Sequence, residues 1–229
     1  MDYIWQGLKQ AVVLLFTLDP ETYSAIITTI KVTFMSITGS VIIGVPLGFL
    51  LGYFQFPGKK QIRMVVDTLL ALPTVVVGLL VYAFISNRGP LGWTNLLYTL
   101  PGIALAEVIL ILPIVISLTA TAIEGLDRRL RPTLRSLGAG SLQLAMTSLH
   151  EARFAVLIAG ITAYGRAISE VGIAMMIGGN IKWYTRTMTT AITLETGKGQ
   201  FSMGIALGVV LLLMVFILNG ALALLRRRT

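Results

Sequence analysis

The chain has 229 residues, of which 55% are hydrophobic and 12% are charged, and its formal net charge is +8. Soluble domains carry about 25% charged residues, so this composition and a mean hydropathy of +0.85 predict one polytopic membrane domain covering residues 1–229. The absence of cysteine and the single histidine, His150, exclude disulfides, thiol catalysis and metal sites built from cysteine or histidine clusters. The basic residues cluster between apolar segments, which indicates membrane topology rather than nucleic-acid binding.

Residues 1–18 are predicted to form an amphipathic helix that lies at the membrane surface. The apolar residues at helical spacing are Ile4, Leu8, Ala11, Leu15 and Leu18. Lys9 interrupts the apolar run and no small-residue cleavage site follows, so the segment does not fit a signal peptide. A further membrane span in this segment is the alternative.

Five later segments are long and apolar enough to span a bilayer, which takes about 20 residues of helix. They are residues 32–54, 68–87, 96–123, 154–181 and 199–225. The third contains Glu107 and the fourth contains Arg166 and Glu170, whereas the other three contain no charge. The sequence therefore predicts an all-α protein with about five transmembrane helices plus the N-terminal amphipathic helix.

Small residues and prolines inside these spans predict close helix packing and kinks. Gly44, Gly48 and Gly52 form two overlapping GxxxG steps, which let helices approach closely in lipid. Pro73 lies inside the second predicted span, where proline kinks or ends a helix. Kinks that serve packing alone and kinks that shape a transport path are equally compatible with this pattern.

The distribution of lysine and arginine predicts the orientation of the spans. One set of loops holds eleven of these residues: Lys59, Lys60, Arg63, Arg128, Arg129, Arg131, Arg135, Arg153, Arg226, Arg227 and Arg228. The opposite set holds six: Lys9, Lys31, Arg88, Lys182, Arg186 and Lys198. The richer side is expected to be cytoplasmic, which places the N-terminus outside and the C-terminus in the cytoplasm.

Residues 126–151, here the basic segment, predict a docking site for a soluble partner. The segment is basic and amphipathic, faces the cytoplasm in this orientation, and is broken by Gly138 and Gly140 between two short helical stretches. The chain has no G-x-x-x-x-G-K-[ST], and Gly197-Lys198-Gly199 lacks the loop length of that motif. It therefore cannot hydrolyse ATP through a P-loop, and energy must come from a partner or a gradient.

Two stretches resemble ABC importer permeases. Leu137-Gly138-Ala139 is similar to the L-G-A core of that family's ATPase-docking loop, although the family's E-A-A falls here on Pro132-Thr133-Leu134. Residues 164–172, Y-G-R-A-I-S-E-V-G, followed by I-G-G-N-I at 177–181, resemble the oxyanion permeases and are closest to the tungstate branch. The similarity extends from about residue 19 to residue 225.

The resemblance implies the type I ABC importer permease fold and import of tungstate or molybdate into the cytoplasm. It implies a homodimer of permeases in the cell membrane, two cytoplasmic ABC ATPase subunits and an extracytoplasmic substrate-binding protein, with no cofactor and no enzymatic activity of its own. The residues it assigns to ATPase coupling are Arg135, Leu137, Gly138, Ala139, Gly140, Ser141 and Leu142. Arg128 and Arg129 are expected to meet lipid headgroups instead.

Two other function classes compete with this reading. A gradient-driven anion carrier or channel working alone is the main alternative, but such carriers usually contain internal repeats and none is found here. A membrane enzyme is the weaker one, because no cysteine, metal cluster or paired mid-span carboxylates are present in the sequence. Co-purification with a P-loop ATPase would separate the importer from the carrier.

Polar residues within and beside the spans are candidates for a translocation path. They are Arg166, Ser169, Glu170, Asn180, Thr187 and Thr189. Arg166 and Glu170 are four residues apart and share a helical face, so Arg166 can attract a dianion while Glu170 moderates it. A structural ion pair between helices at the dimer axis is the alternative.

Two further features leave alternatives open. Glu107 is expected either to be protonated or to be partnered by Arg166, and it has no expected role toward the substrate. The threonine-rich segment 182–198 either offers hydroxyl groups and Arg186 to an oxyanion or docks the substrate-binding protein.

Overall fold

The computed structural model describes residues 2–127 and 129–227, which are built from helices and contain no strand. Arg128 and Arg228, which entered the charge count, lie outside these residues. The α-helices are α1 Asp2–Phe16, α2 Pro20–Tyr53, α3 Lys59–Leu69, α4 Thr74–Ile85, α5 Leu100–Glu124, α6 Leu130–Ser136, α7 Ser141–Glu151, α8 Arg153–Ile168, α9 Gly172–Gly178, α10 Met188–Gly197 and α11 Phe201–Arg227. A short 3-10 helix, Gly92–Thr94, lies between α4 and α5. The predicted all-α class is confirmed.

The number of helices that can span a membrane depends on how broken helices are counted. By length and composition α2 and α5 each qualify, and the broken pairs α3/α4 and α7/α8 raise the number to four among the described residues. The described apolar part of α11 is shorter, Phe201–Ile217. The figure of five spans therefore stays a prediction.

Two of the predicted spans are interrupted rather than continuous. In residues 68–87, α3 ends at Leu69 and α4 begins after Pro73, whose backbone is extended with ψ 128°. Proline lacks an amide donor and disfavours helical geometry in the residue before it, which explains this break. In residues 154–181, α8 ends at Ile168 and α9 starts at Gly172.

The chain divides into two compact units. Unit one comprises residues 2–36, 73–107 and 165–227, and here α1 and α10 pack on α11 while α4 packs on α9. Part of its core consists of buried Ala11, Leu14, Met188, Ala206 and Val210. The helix predicted at residues 1–18 is confirmed as α1, and its surface position stays a prediction.

Unit two comprises residues 37–72 and the described part of 108–164, and within it α2 packs closely against α5. A Cβ atom at Gly48 would lie 2.6 Å from the Ile116 carbonyl oxygen, and one at Gly52 would lie 2.6 Å from that of Ala120. Only glycine permits backbones to approach this closely, so the predicted GxxxG contact is present. Lys59 and Arg63 of α3 also meet Glu124 of α5, at 2.8 Å and 3.8 Å.

Candidate functional site

The glycine break of the basic segment, residues 137–140, is a capped turn between α6 and α7. Gly138 has φ +83°, a left-handed conformation that glycine adopts without strain. Its amide donates to the Arg135 carbonyl and the Ala139 amide donates to the Leu134 carbonyl, both at 3.0 Å, which is the Schellman pattern of a helix end. The Gln143 side chain accepts from the Gly140 amide at 2.9 Å. The break is therefore a defined structure, with the end of α6 and the start of α7 both hydrogen-bonded.

Large apolar side chains on and beside this break face outward. Leu137 is 78% exposed, Leu142 73% and Met146 65%, whereas Leu144 of the same helix is buried. Of the residues predicted to couple to an ATPase, all are exposed except Ala139, which is half-buried. The structure therefore brings the predicted set together on one exposed turn whose apolar groups have no partner within the described chain.

The second candidate site is polar and is called here the membrane cluster. It consists of Arg166, Glu170, Glu107 and Ser36, all in unit one. Arg166 Nη1 lies 2.9 Å from Glu170 Oε2, so the pair expected from the four-residue spacing forms. The Glu170 side chain is only 2% exposed, whereas that of Arg166 is 37% exposed. Among the described residues the guanidinium makes this one hydrogen bond, and part of its side chain is open to another anion.

Glu170 also joins three helices. Its second carboxylate oxygen, Oε1, accepts from the Ile173 amide of α9 at 3.2 Å. Its backbone carbonyl accepts from the Thr189 hydroxyl of α10 at 2.8 Å. Because Glu170 lies two residues after the end of α8, these contacts fix the geometry of the break between α8 and α9 and the position of α10 beside it.

The predicted threonines are buried in hydrogen bonds of their own chain. Thr187 caps α10, and its Oγ1 accepts from the Thr190 amide at 3.3 Å. Thr187 and Thr189 are 4% and 6% exposed, and their hydroxyl oxygens are 3.0 Å apart. Ser169, by contrast, is exposed, and its hydroxyl donates back to the Gly165 carbonyl at 3.0 Å.

Asn180 belongs to a different cluster from Arg166. Its side-chain oxygen accepts from Arg186 Nε at 3.1 Å, and Arg186 also pairs with Glu21 at the start of α2. Glu21 meets Lys182 as well, at 2.7 Å. Sequence reasoning missed Glu21, because 165 residues separate it from Arg186 and nothing local marks the pair.

A cavity of about 380 Å³ lies beside this cluster. Its charged lining residues are Asp19, Glu21, Glu195, Lys182, Arg186 and Lys198. Acidic and basic groups are equal in number, and Glu21 and Glu195 pair directly with the three cations. The cavity is therefore polar, but its lining has no excess of positive charge that would attract a dianion.

Glu107 has a partner that the sequence did not reveal. Ser36 Oγ lies 2.6 Å from Glu107 Oε2, and both residues are buried. The expectation that Arg166 could partner Glu107 is wrong, because the ion pair of Arg166 is with Glu170. Ser36 and Glu107 lie 71 residues apart, which is why spacing could not connect them.

The described residues contain no group of three or more histidine, cysteine, aspartate or glutamate side chains that could hold a metal ion. What they do offer is a partly exposed arginine tied to a buried carboxylate and, in the other unit, a rigid apolar turn. The first suits weak contact with an anion and the second suits docking of another protein.

Comparison with known proteins gives one family and several relatives. Residues 44–229 match the family described as binding-protein-dependent transport system inner membrane component. The tungstate uptake system permease protein TupB of Campylobacter jejuni subsp. jejuni is 48% identical over 96% of this chain and 92% of its own length. TupB of Peptoclostridium acidaminophilum is 36% identical over 97% of both chains.

More distant similarities agree with these. The molybdenum transport system permease protein ModB of Escherichia coli K12 is 29% identical over 80% of this chain and 83% of its own. A solved structure of the MetNI methionine ABC transporter, in an inward-facing conformation, aligns with a TM-score of 0.67 over 94% of this chain and 97% of that one. The sequence identity to this structure is 19%, which supports similarity of fold alone.

Proposed function

Because this chain belongs to the family of binding-protein-dependent transport system inner membrane components, we propose that it imports tungstate, with molybdate as a second substrate. It is a multi-pass permease subunit of an ABC transporter with the type I permease fold, and it is not an enzyme. The observation that carries the substrate is the 48% identity to a tungstate uptake permease over 96% of the chain.

The family description does not fit a carrier that works alone, because it names one component of a larger system. An ATPase and a substrate-binding protein are the partners that such a system requires. We propose that the complete transporter contains two copies of this chain, two ATPase subunits and one extracytoplasmic binding protein. We also propose that the N-terminus lies outside and the basic segment lies in the cytoplasm.

The glycine break supports the ATPase-docking part of the proposal. Leu137 and Leu142 are each more than 70% exposed beside a left-handed Gly138, on a turn whose ends are fixed by backbone hydrogen bonds. Exposed apolar groups on a rigid turn are the features of a protein-docking surface. ATP-driven movement of the ATPase subunits would reach the membrane helices through α6 and α7.

Arg166 is the group that we propose for contact with the oxyanion. Its side chain is 37% exposed and is held at one nitrogen by Glu170, so its remaining donors can bind an oxygen of tungstate. Glu170 reduces the positive potential, and a path that binds its substrate weakly can also release it. Ser169 is the second candidate because it is exposed next to the pair.

Thr187, Thr189 and Asn180 serve the path only through structure in this proposal. The two threonine hydroxyls are used by α10 and by the Glu170 carbonyl, and Asn180 holds Arg186. Their contribution is to fix the segment that packs beside the membrane cluster.

Reconstitution tests the proposed function. The chain, its ATPase and its binding protein are placed in proteoliposomes, and tungstate inside is measured by mass spectrometry with molybdate or sulfate as competitor. We expect uptake that needs both ATP and the binding protein, strong competition by molybdate and weak competition by sulfate. Tungstate uptake that continues without the ATPase, or no tungstate uptake with all components present, would contradict the proposal.

A further inference from the structure

Two carboxylates from separate helices line one small pocket inside unit one. Glu107 comes from α5 and Glu170 from the break between α8 and α9, and they are 2% and 4% exposed. The other lining residues are Thr29, Val32, Thr33, Ala167, Ile168, Thr187 and Thr189. No lysine, arginine or histidine is among them, so the pocket itself supplies no cation to balance two negative charges.

Glu170 has the surroundings of an ionised carboxylate. Its Oε2 accepts from Arg166 at 2.9 Å and its Oε1 accepts from the Ile173 amide at 3.2 Å. Both oxygens therefore receive hydrogens from groups that can only donate, and one of these groups carries a positive charge. The negative charge of this carboxylate is accounted for.

Glu107 has different surroundings. Its Oε2 lies 2.6 Å from Ser36 Oγ, and the described residues provide no other hydrogen-bond partner for either carboxyl oxygen. Thr33 lines the same pocket and is 3% exposed. No cation and no backbone amide of the described chain bonds to Glu107.

The two contacts of Ser36 Oγ allow Glu107 to be the donor. Ser36 Oγ is also 2.7 Å from the Val32 carbonyl oxygen, one turn earlier in α2. A carbonyl oxygen can only accept and a serine hydroxyl has one hydrogen, so this hydrogen fully serves either Val32 or Glu107, but not both. When this hydrogen is directed to Val32, the contact of 2.6 Å with Glu107 Oε2 takes its hydrogen from Glu107, and its length is normal for O–H···O.

We propose that Glu107 is a proton-binding site, a neutral carboxylic acid that donates its hydrogen to Ser36 Oγ. The alternative, an ionised Glu107 that accepts the serine hydrogen, would bury a carboxylate with one hydrogen bond and no cation beside Glu170. An unpaired charge inside the membrane is expensive, and a bound proton removes that cost.

None of the groups that face Glu107 could neutralise a negative charge on its carboxyl group. Helix α2 contributes Thr29, Val32, Thr33 and Ser36, and α10 contributes Thr187 and Thr189, none of which titrates in the physiological range. From α8 and its end come Ala167, Ile168 and the ionised Glu170, and Arg166 is bonded to Glu170. The proton therefore makes the cluster of Arg166, Glu170 and Glu107 neutral overall.

The neutral charge of this cluster affects the passage of the anion, a point that rests on the proposed function. A dianion that passes Arg166 would meet two carboxylate charges if Glu107 were ionised, and like charges repel it. With the proton in place it meets one ion pair and one neutral acid. Glu107 itself makes no contact with the substrate. Its effect is that, when protonated, it adds no negative charge beside the path of the anion.

Infrared difference spectroscopy tests the proton without measuring transport. Spectra of the wild-type complex and of Glu107→Gln are recorded in nanodiscs in ordinary and heavy water. We expect the difference to contain the carbonyl band of a protonated carboxylic acid, shifted in heavy water. Carboxylate bands in its place would overturn the proposal, and either result holds whatever the transported anion is.

A matched pair of variants tests the same point by function. Glutamine keeps the shape of the acid and can donate to Ser36, so Glu107→Gln should assemble and retain ATP-dependent uptake within about twofold of wild type, a change of roughly RT ln 2. Glu170→Gln removes a charge that Arg166 needs and should lose assembly or most uptake. Equal losses in the two variants would overturn the proposal, because they would mean that Glu107 also acts as an ion.

Discussion

The membrane cluster and the glycine break differ in where their side chains find partners. In the cluster, buried Glu170 receives hydrogen bonds from Arg166 and Ile173. At the break, the backbone is hydrogen-bonded within the chain but Leu137 and Leu142 are left exposed. The difference teaches that buried polar groups are balanced inside the chain, whereas the exposed apolar groups of the basic segment are the ones that we propose to bind another protein.

The strongest way to break the cluster is to remove Glu170. Glu170→Ala leaves the partly exposed Arg166 without its partner and the Ile173 amide without its acceptor, and an unsatisfied buried donor alone costs about 1–3 kcal/mol. We expect a large fall in the melting temperature of the purified permease, measured by thermal unfolding in detergent.

The control for this variant is Glu195→Ala. Glu195 pairs with Lys198 at 2.8 Å, but the lysine side chain is 49% exposed. Exposed ion pairs contribute about 0–1 kcal/mol, so this variant should melt close to wild type. If both variants lost the same stability, the special status of the buried pair would be refuted.

Gly138→Asp is the most selective test of the docking role of the glycine break. A Cβ at Gly138 has no neighbour within 4 Å, and aspartate tolerates left-handed geometry better than most residues, so the subunit should insert normally. The added charge should disturb ATPase docking, and a loss of 1.4 kcal/mol would reduce coupled uptake about tenfold. Uptake and stimulated ATPase activity of the purified complex measure the effect.

Gly138→Asn is the matched control, since asparagine has the size and backbone tolerance of aspartate without its charge. We expect it to keep most of the coupled uptake. Full uptake in the aspartate variant would contradict the docking role of the basic segment, and equal loss in both would point to backbone strain instead.

Exchanging the charges of the membrane cluster sharpens its role. In the double variant Arg166→Glu with Glu170→Arg an ion pair can re-form, but the Ile173 amide loses its acceptor. Stability should return only in part, because an unsatisfied buried donor costs about 1–3 kcal/mol. Uptake should not return, since the positive charge has moved by one helical turn, about 5.4 Å. Wild-type uptake in the exchanged protein would end the claim that Arg166 acts on the substrate.

The smallest expected effect concerns the cap of α10. Thr187→Val removes the hydroxyl that accepts from the Thr190 amide, and loss of such a cap costs about 1 kcal/mol. Thr187→Ser keeps the hydroxyl and should keep the stability. Uptake per assembled complex should be unchanged in both. Reduced uptake in the valine variant at normal stability would instead support direct contact of Thr187 with the anion.

Local features of this molecule could be predicted from the sequence because their causes are local. The break at Gly138 follows from a glycine flanked by two short helical stretches, and the pair of Arg166 and Glu170 follows from spacing within one helix. The contact of Ser36 with Glu107 could not be predicted, since it depends on how α2 and α5 pack. Thr187 and Thr189 illustrate the same limit: their chemistry suits an anion, but the fold uses them as a cap and as a link to Glu170.

The interrupted spans have a similar explanation. Pro73 could be expected to disturb a helix, but the sequence does not show whether a proline kinks a span or ends it. The break after Ile168 has no proline, and it is stabilised by the Glu170 carboxylate accepting from the first turn of α9. That interaction becomes visible only when both helices are placed.

The central claim is that the exposed turn of the basic segment is completed by an ATPase subunit. The chain has no cysteine, so Leu142→Cys and the control Lys198→Cys each introduce a single thiol, and both are tested in membranes with a short thiol-to-amine cross-linker. The account predicts a cross-link from position 142 to the ATPase and none from position 198. A cross-link to the ATPase from position 198, or its absence at position 142 in a complex that transports normally, would contradict the claim.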